Sequence, residues 1–162
     1  LIISVDVVQV QLEDEYFIDE LQKIAKRTEF PLQNLCLELN RSCRLLNMDF
    51  LKGIISALRD CGLKITLNDF GSGLASIDFL RELSPDYIKF SKKYSYEFHK
   101  FENRMIVRCL SELAAALGTK VLIEGVDNPH IRDELKNFPI DNFQGNLYSP
   151  VLPMAGIVGK IK

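Results

Sequence analysis

The chain has 162 residues, of which 47% are hydrophobic and 26% are charged, and its formal net charge is −2. This composition is typical of a folded globular domain with a substantial core and excludes a disordered segment. The balanced charge gives no basis for expecting a nucleic-acid polymer or an anionic membrane surface as partner. No apolar run approaches the ~20 residues that a membrane-spanning helix needs, so no membrane segment is expected.

The cysteines and the start of the chain indicate the compartment and the extent of the domain. Cys36 and Cys109 lie in apolar runs, and no C-x-x-C pair occurs. This pattern favours reduced, buried thiols over disulfides or zinc, and therefore a cytoplasmic location. A parent protein anchored in a membrane through other domains is compatible with it. The chain opens at Leu1 without Met, inside a strand-like run, which indicates a fragment of a longer protein.

Apolar, β-prone runs alternate along the chain with amphipathic stretches of helix length. The first half predicts a strand at 1–8, a helix at 14–26, a strand at 35–39, a helix at 48–61 and a strand around Ile65. The second half predicts a glycine-rich turn at 69–73, a helix at 75–83, a strand around Tyr87, a linker at 91–96, a helix at 101–117, a strand around Val121, a helix from Pro129 and a strand at 142–143.

This alternation predicts an α/β fold with a parallel sheet and right-handed crossovers. A closed (β/α)₈ barrel has eight strands and about 250 residues. We count six strands, which predicts a partial TIM-like (β/α) barrel with about six of the eight barrel strands. Residues 1–162 are then one truncated domain, and the missing elements precede Leu1 in the parent protein.

The predicted strands end in residues that carry chemistry. In a barrel of parallel strands, the carboxyl ends open on one face, where catalytic and binding groups lie. Carboxylates, amides and a lysine gathered there suit a divalent metal and a phosphate ester. The residues at these positions are Glu38, Asn68, Asp69, Lys89, Glu124 and Gln144.

The same motifs resemble those of the EAL-domain family, the cyclic di-GMP phosphodiesterases. Residues 37–42 (L-E-L-N-R-S) resemble that family's L-E-I-T-E-S, and residues 68–73 (N-D-F-G-S-G) resemble its D-D-F-G-T-G. The further matches are S-V-D-V at 4–7, D-Y-I-K at 86–89, I-E-G-V-D at 123–127 and Q-G at 144–145. Order and spacing hold from end to end, so the resemblance covers essentially the whole chain and about the C-terminal two-thirds of an EAL domain.

The resemblance implies a TIM-like barrel that hydrolyses cyclic di-GMP to pGpG with two Mg²⁺ or Mn²⁺ ions. Carried over by position, the metal ligands are Glu38, Asp69, Asn68, Glu124 and Asp6, the last in place of the family's Asn. Two metals stabilise both the attacking and the leaving oxygens of such a reaction.

The other transferred roles concern the water and the substrate. Lys89 is expected beside the nucleophilic water, with Glu124 as a metal ligand or base. Gln144 is expected to support the site. The turn at Gly71 and Gly73 is expected to let the backbone approach the ligand closely.

Several motif positions depart from the family pattern. The E-x-L motif is absent, because the strand that carries it is absent. Asn68 replaces the first aspartate of D-D-F, which loses a negative charge that attracts a dication. Arg41 replaces the second glutamate of L-E-I-T-E-S and reverses the local charge. The remaining substituted positions are Ser91, Asp127 and Asn146.

Taken singly, these residues have ordinary structural interpretations. A strand-terminal acid caps the next helix, and Asp69 before glycine is a common turn residue. Lys89 can reach the surface with its long side chain, and Gln144 or Asp6 can be a loop residue. A cluster of aromatic residues lies where the family often dimerises, which leaves homodimer contact and local packing as alternatives: Tyr94, Tyr96, Phe98 and Phe101.

Three functions remain open at this point. The favoured one is a degenerate, catalytically impaired EAL-type domain with a regulatory role, either binding cyclic di-GMP as a receptor or contacting proteins. The alternative is an active metal-dependent phosphodiesterase once the N-terminal part is present. Flanking signalling domains or a second copy of the chain are the expected protein partners. The sequence feature that distinguishes the functions is an E-x-L motif in a strand upstream of this chain, and occupancy of the Mg²⁺ or Mn²⁺ site is in doubt for the degenerate form.

Overall fold

The computed structural model describes residues 1–71, 77–153 and 156–157. Within them the chain forms one sheet of six strands: β1 (Ile3–Val7), β2 (Leu35–Leu39), β3 (Lys64–Phe70), β4 (Tyr87–Phe90), β5 (Lys120–Ile123) and β6 (Asn142–Phe143). The helices are α1 (Gln9–Leu12), α2 (Phe17–Thr28), α3 (Met48–Asp60), α4 (Ile77–Leu83), α5 (Lys92–Tyr96), α6 (Phe101–Ala116) and α7 (Pro129–Leu135). Short 3₁₀ turns occur at Leu32–Asn34 and Arg41–Leu45.

The strands lie in the sheet in sequence order, and every neighbouring pair is parallel. Because parallel neighbours need a crossover connection, a helix or helical turn follows each of the first five strands. The six strands form a curled half-barrel, and the predicted partial TIM-like barrel is thereby confirmed. All strand carboxyl ends open on one rim.

Alternate residues of the strands face opposite sides of the sheet. One set packs against the helices and is fully buried, as shown by Ile65, Ile88 and Ile123, each 0% exposed. Leu51 and Leu58 of α3 are also 0% exposed in this layer. The other set of strand residues faces the concave side of the half-barrel, so the hydrophobic core lies between the sheet and the helices.

In the segment predicted as a linker at 91–96, residues 92–96 form a helical turn instead, so that prediction was wrong for them. The Ser91 carbonyl accepts the Tyr94 N–H at 3.0 Å, and the Lys93 carbonyl accepts the Glu97 N–H at 3.0 Å. Buried Tyr94 and Ser95 stabilise this single turn by packing. One turn is too short for an apolar periodicity to reveal it.

Other boundaries differ by a few residues. Helix α2 begins at Phe17, because the Asp14 carboxylate accepts the Tyr16 N–H at 2.9 Å and holds a turn before it. The turn α1 was not predicted. Helix α4 is described from Ile77, and the start of the helix predicted at 75–83 lies outside the described residues.

All four cysteines are free thiols. Cys36 is buried, as predicted, and burial raises the pKa of its thiol; Cys43 is buried as well. Cys109 is exposed on α6, so the prediction of burial was wrong for this residue. Among the described helices, none combines the length and apolarity required to cross a membrane.

We predict that Phe90→Ala destabilises the protein strongly. Phe90 is 0% exposed and makes edge-on ring contacts with Phe70 and Tyr94. Truncating a buried Phe leaves a cavity and costs about 3–5 kcal/mol. The matched control is Phe101→Ala, because Phe101 is 71% exposed and its truncation changes stability by about 0.5 kcal/mol or less. Urea unfolding measures both, and equal losses contradict the described core.

Candidate functional site

The polar strand ends meet at one rim because the strands are in register. Asp6 of β1 lies opposite Glu38 of β2, and Lys89 of β4 lies two strands beyond. Glu38 and Lys89 are 5% and 6% exposed. Buried charged side chains are rare without partners, so their contacts define the electrostatics of this rim.

Lys89 is the central cation of the site. Its Nζ lies 2.9 Å from Glu38 Oε2 and 2.8 Å from Glu124 Oε1, which joins β4 to the ends of β2 and β5. Burial by itself lowers the pKa of Lys89, but the hydrogen bonds and charges of Glu124 and Glu38 outweigh burial and raise that pKa above its usual value. Lys89 is therefore an ammonium ion at neutral pH and cannot act as a general base.

Asn68 lies between two of the acids. Its Nδ2 donates to Asp6 Oδ1 at 3.1 Å and to Glu38 Oε2 at 3.2 Å. Its Oδ1 accepts the N–H of Asp69 at 2.8 Å, which fixes the amide orientation. The amide thus directs its hydrogens toward the carboxylates and its oxygen toward the backbone.

Arg41 and Asp69 form an ion pair at the same rim, with Arg41 Nε 3.3 Å from Asp69 Oδ2. Asp69 has a φ of 53°, and the pairing of β3 with β4 shifts register between Leu67 and Phe70. Such a bulge re-aims the side chains at a strand end. The Asp69 carboxylate therefore turns toward Arg41 in the turn that follows β2.

The concave face beside these residues forms an open pocket of about 310 Å³. Glu38 and Gln144 line it at the rim, and Cys36 and Thr66 form part of its floor, with the Cys36 Sγ and Thr66 Oγ1 atoms 3.0 Å apart. Gln144 thus shares the cavity with Glu38. The volume lies within the range typical of small-molecule pockets.

Two of the transferred positions lie in the loop after β3. Gly71 has a φ of 79°, and its carbonyl accepts a hydrogen bond from the Tyr94 hydroxyl. A Cβ at this position would lie 2.8 Å from that hydroxyl oxygen, so glycine is required for the approach of Tyr94. Gly73 lies outside the described residues.

The remaining substituted positions have structural contacts. Ser91 precedes the first turn of α5. The Asp127 carboxylate accepts the Tyr96 hydroxyl at 3.0 Å and the Asn146 N–H at 2.8 Å, which joins the loops after β5 and β6. Asp127, which is shorter than the glutamate of the family motif, is therefore long enough to make both contacts.

The arrangement does not fit a pair of divalent ions. Within the described residues, no three His, Cys, Asp or Glu side chains converge as a metal-binding group. The predicted ligands turn instead toward cations and donors of the chain itself: Glu38 and Glu124 toward Lys89, Glu38 and Asp6 toward Asn68, and Asp69 toward Arg41. These contacts occupy the carboxylates that a metal would otherwise bind, and the two cations offset two of their four charges.

Sequence reasoning did not predict the contribution of α5 to the rim. Tyr94 and Tyr96 were expected to form dimer contacts or local packing, and Ser95 was not singled out. Tyr94 donates a hydrogen bond to the loop after β3, and Ser95 and Tyr96 each donate one to the loop after β5. The signal in the sequence was their position directly after the strand that carries Lys89.

Fold and site together define a partial (β/α) barrel whose strand carboxyl ends form an acid-rich pocket, in which Lys89 and Arg41 pair with three of the acids. The EAL domain family matches residues 1–151, and the chain belongs to this family. The resemblance stated from the motifs is thereby confirmed.

Two characterised relatives are cyclic di-GMP phosphodiesterases by name. PdeA of Borreliella burgdorferi is 27% identical over 154 residues, which cover 94% of this chain and 23% of that protein. PdeR of Escherichia coli is 27% identical over 152 residues, or 93% of this chain and 23% of that protein. The chain thus spans about a quarter of the length of either relative.

Solved structures share the fold. The EAL domain of Mycobacterium smegmatis DcpA matches with a TM-score of 0.92 and 24% identity, covering 99% of this chain and 72% of that chain. The PaMucR phosphodiesterase complex with c-di-GMP matches at 0.88 and 24%, covering 96% and 64%. Klebsiella pneumoniae BlrP1 in a manganese and cyclic di-GMP complex matches at 0.83 and 22%, covering 90% and 38%.

We predict that Lys89→Met destabilises the protein by about 3–5 kcal/mol, because it leaves the buried Glu38 carboxylate without its cation. The raised pKa of Lys89 means that its contribution is present below the unfolded-state value and is lost as the pH rises through the higher folded-state value. The stability lost in Lys89→Met is therefore constant across neutral pH and becomes smaller in strongly alkaline solution.

Urea unfolding at several pH values measures this effect, with exposed Lys120→Met of β5 as the matched control. Adding Glu38→Gln to Lys89→Met should recover part of the lost stability, because it removes the uncompensated charge. If Lys89→Met lowers the free energy of unfolding no more than Lys120→Met does, the central role of this ion pair is contradicted.

Proposed function

We propose that this EAL domain binds cyclic di-GMP without hydrolysing it and acts as a receptor in cyclic di-GMP signalling. The observation that carries the proposal is the Asn68 amide, whose nitrogen donates to both Asp6 and Glu38. A dication bound by these carboxylates would have to displace that donor. The loss of charge at Asn68 further weakens the attraction for the ion.

The fixed charges of the chain support binding without Mg²⁺ or Mn²⁺. Lys89 offsets one of the two negative charges of Glu38 and Glu124, and Arg41 offsets that of Asp69. The Arg41 side chain is 61% exposed at the rim, and a guanidinium pairs well with a phosphate. We propose that Arg41 exchanges Asp69 for a phosphate of the ligand and that Gln144 and the Gly71 backbone contact the ligand beside it.

Hydrolysis is not supported by the same arrangement. Activation of a water by metal ions requires oxygen ligands that face the ions. Lys89 is protonated and cannot take a proton from water, and Glu124 forms an ion pair with it. The loss of correctly placed charge commonly lowers catalytic rates by orders of magnitude.

The alternative, an active phosphodiesterase in the intact protein, is favoured by one observation. Glu38, Lys89 and Glu124 converge within hydrogen-bonding distance at the positions of the family's motifs. If the absent E-x-L strand supplied a further ligand, Mg²⁺ or Mn²⁺ would have to reorient Asn68 and Asp69. We place this alternative second because it requires both rearrangements.

The cellular setting follows from the receptor proposal. A receptor for a cytoplasmic second messenger must face the cytoplasm and pass its ligand state to other domains or to a second copy of the chain. The expected partners are therefore flanking signalling domains or a homodimer. The domain proposed here is the C-terminal part of a longer EAL domain in that protein.

Calorimetric titration of the intact protein with cyclic di-GMP tests the proposal. We expect saturable binding at micromolar concentration or tighter in EDTA, with a Kd that changes by about threefold or less in Mg²⁺ or in Ca²⁺. Chromatography of the Mg²⁺ sample should show no pGpG.

Two results contradict the receptor proposal in different ways. Binding that requires a metal, together with pGpG formation, supports the phosphodiesterase alternative. Absence of binding in all three conditions, from a protein shown to be folded by circular dichroism, supports a domain that contacts proteins without a nucleotide.

The matched variant is Arg41→Ala, which should weaken binding of cyclic di-GMP about tenfold or more if Arg41 holds a phosphate.

A further inference from the structure

Helix α5 directly follows β4, the strand that carries Lys89, and contacts loops of the rim. Three consecutive side chains of this one turn, Tyr94, Ser95 and Tyr96, carry hydroxyl groups. Each hydroxyl donates to a residue in a loop that follows a strand. One short element thereby contacts the loops that present most of the site.

Tyr94 fixes the loop after β3. Its ring is packed edge-on against Phe90 with centroids 5.4 Å apart, and the residue is 4% exposed. Its hydroxyl donates to the carbonyl of Gly71, two residues after Asp69. Because the ring cannot move independently of the core, the carbonyl of Gly71 is held at a defined distance from β4.

Ser95 fixes the loop after β5. The residue is 1% exposed, and its Oγ donates to the backbone carbonyl of Glu124, the acid that pairs with Lys89. Gly125 has a φ of 74°, and a Cβ there would lie 2.8 Å from the Lys92 Cβ atom. The loop is therefore pressed closely against α5 at the residue after Glu124.

Tyr96 reaches the loops after β5 and β6 together. Its hydroxyl donates to Asp127 Oδ2 at 3.0 Å, and Asp127 Oδ1 accepts the N–H of Asn146 at 2.8 Å. Asn146 follows Gln144, which lines the cavity. The position of the β6 loop is thus connected to α5 through one carboxylate.

We propose that α5 is a positioning element whose three hydroxyls hold the loops after β3, β5 and β6 and thereby set the affinity of the site for its ligand. Tyr94, Ser95 and Tyr96 are positioning residues, since they act through Gly71, Glu124 and Asp127. The effect of α5 on affinity rests on the proposed binding of cyclic di-GMP. Its effect on the positions of the loops does not depend on that binding.

Amide hydrogen exchange of the intact protein without ligand tests the loop positions. Tyr94→Phe should raise exchange in the peptide that contains Gly71 and leave the peptide around 124–127 unchanged. Ser95→Ala and Tyr96→Phe should show the reverse pattern, and Tyr96→Phe should also raise exchange around Asn146. Loss of one hydrogen bond should speed local exchange by about three- to tenfold.

The controls remove the same groups elsewhere. Tyr16→Phe and Ser56→Ala change exposed residues and should leave exchange at the rim unaltered. Two results overturn the proposal. If exchange in the α5 variants rises equally over the whole protein, the hydroxyls have a merely structural role. If exchange does not rise at the rim, they have no role there.

The affinity is then measured by titration with cyclic di-GMP in EDTA. We expect each α5 variant to bind about three- to tenfold more weakly than the wild type, with the controls unchanged. Localised exchange with unchanged affinity overturns the link from α5 to binding. If the variants show the localised exchange pattern but the wild type binds no cyclic di-GMP, the proposed function is refuted and the positioning role of α5 is supported.

Discussion

The buried ion pairs of Lys89 are the interaction on which this site depends. A lysine 6% exposed on a central strand is tolerated because Glu38 and Glu124 surround its ammonium group. These contacts join the ends of three strands, so they hold the rim of an open half-barrel together. They also engage, through one cation, the two acids that the motifs present to a metal.

The two substitutions with the largest change in charge extend the same principle. Asn68 supplies an amide donor to Asp6 and Glu38, and Arg41 supplies a cation to Asp69. Together with Lys89, they give each acid of the rim a partner from within the chain. Lys89 and Arg41 offset two of the four carboxylate charges, so the receptor proposal requires the phosphates of the ligand to pair with Arg41 and not to face these acids. The EAL family membership and the altered motifs are thus consistent with one another.

Much of the fold was predictable because its signals are local and repeated. Apolar strands alternating with amphipathic helices predict a parallel sheet, and the strand-end motifs placed Glu38, Lys89 and Glu124 on one rim. What the sequence could not predict is the partner of each side chain. The contact of Asn68 with Asp6 spans 62 positions along the chain, and the turn of Asp69 toward Arg41 depends on a register shift within the sheet.

The role of α5 was missed for a related reason. A single helical turn has no apolar period, so residues 91–96 resembled a linker. Its effect comes from hydroxyls that reach loops 23 to 31 positions away. Such contacts depend on the packing of Tyr94 and Ser95 in the finished barrel. Local sequence preference carries no information on them.

The central claim is that side chains of this protein, and not metal ions, engage the acids of the rim. Electron paramagnetic resonance of free Mn²⁺, titrated into the intact protein with saturating cyclic di-GMP, measures it directly. The account predicts less than about one bound Mn²⁺ per chain at micromolar metal, and a gain on Asn68→Asp but not on the control Asn137→Asp. Two tightly bound Mn²⁺ ions per wild-type chain, as in a two-metal phosphodiesterase, would contradict it.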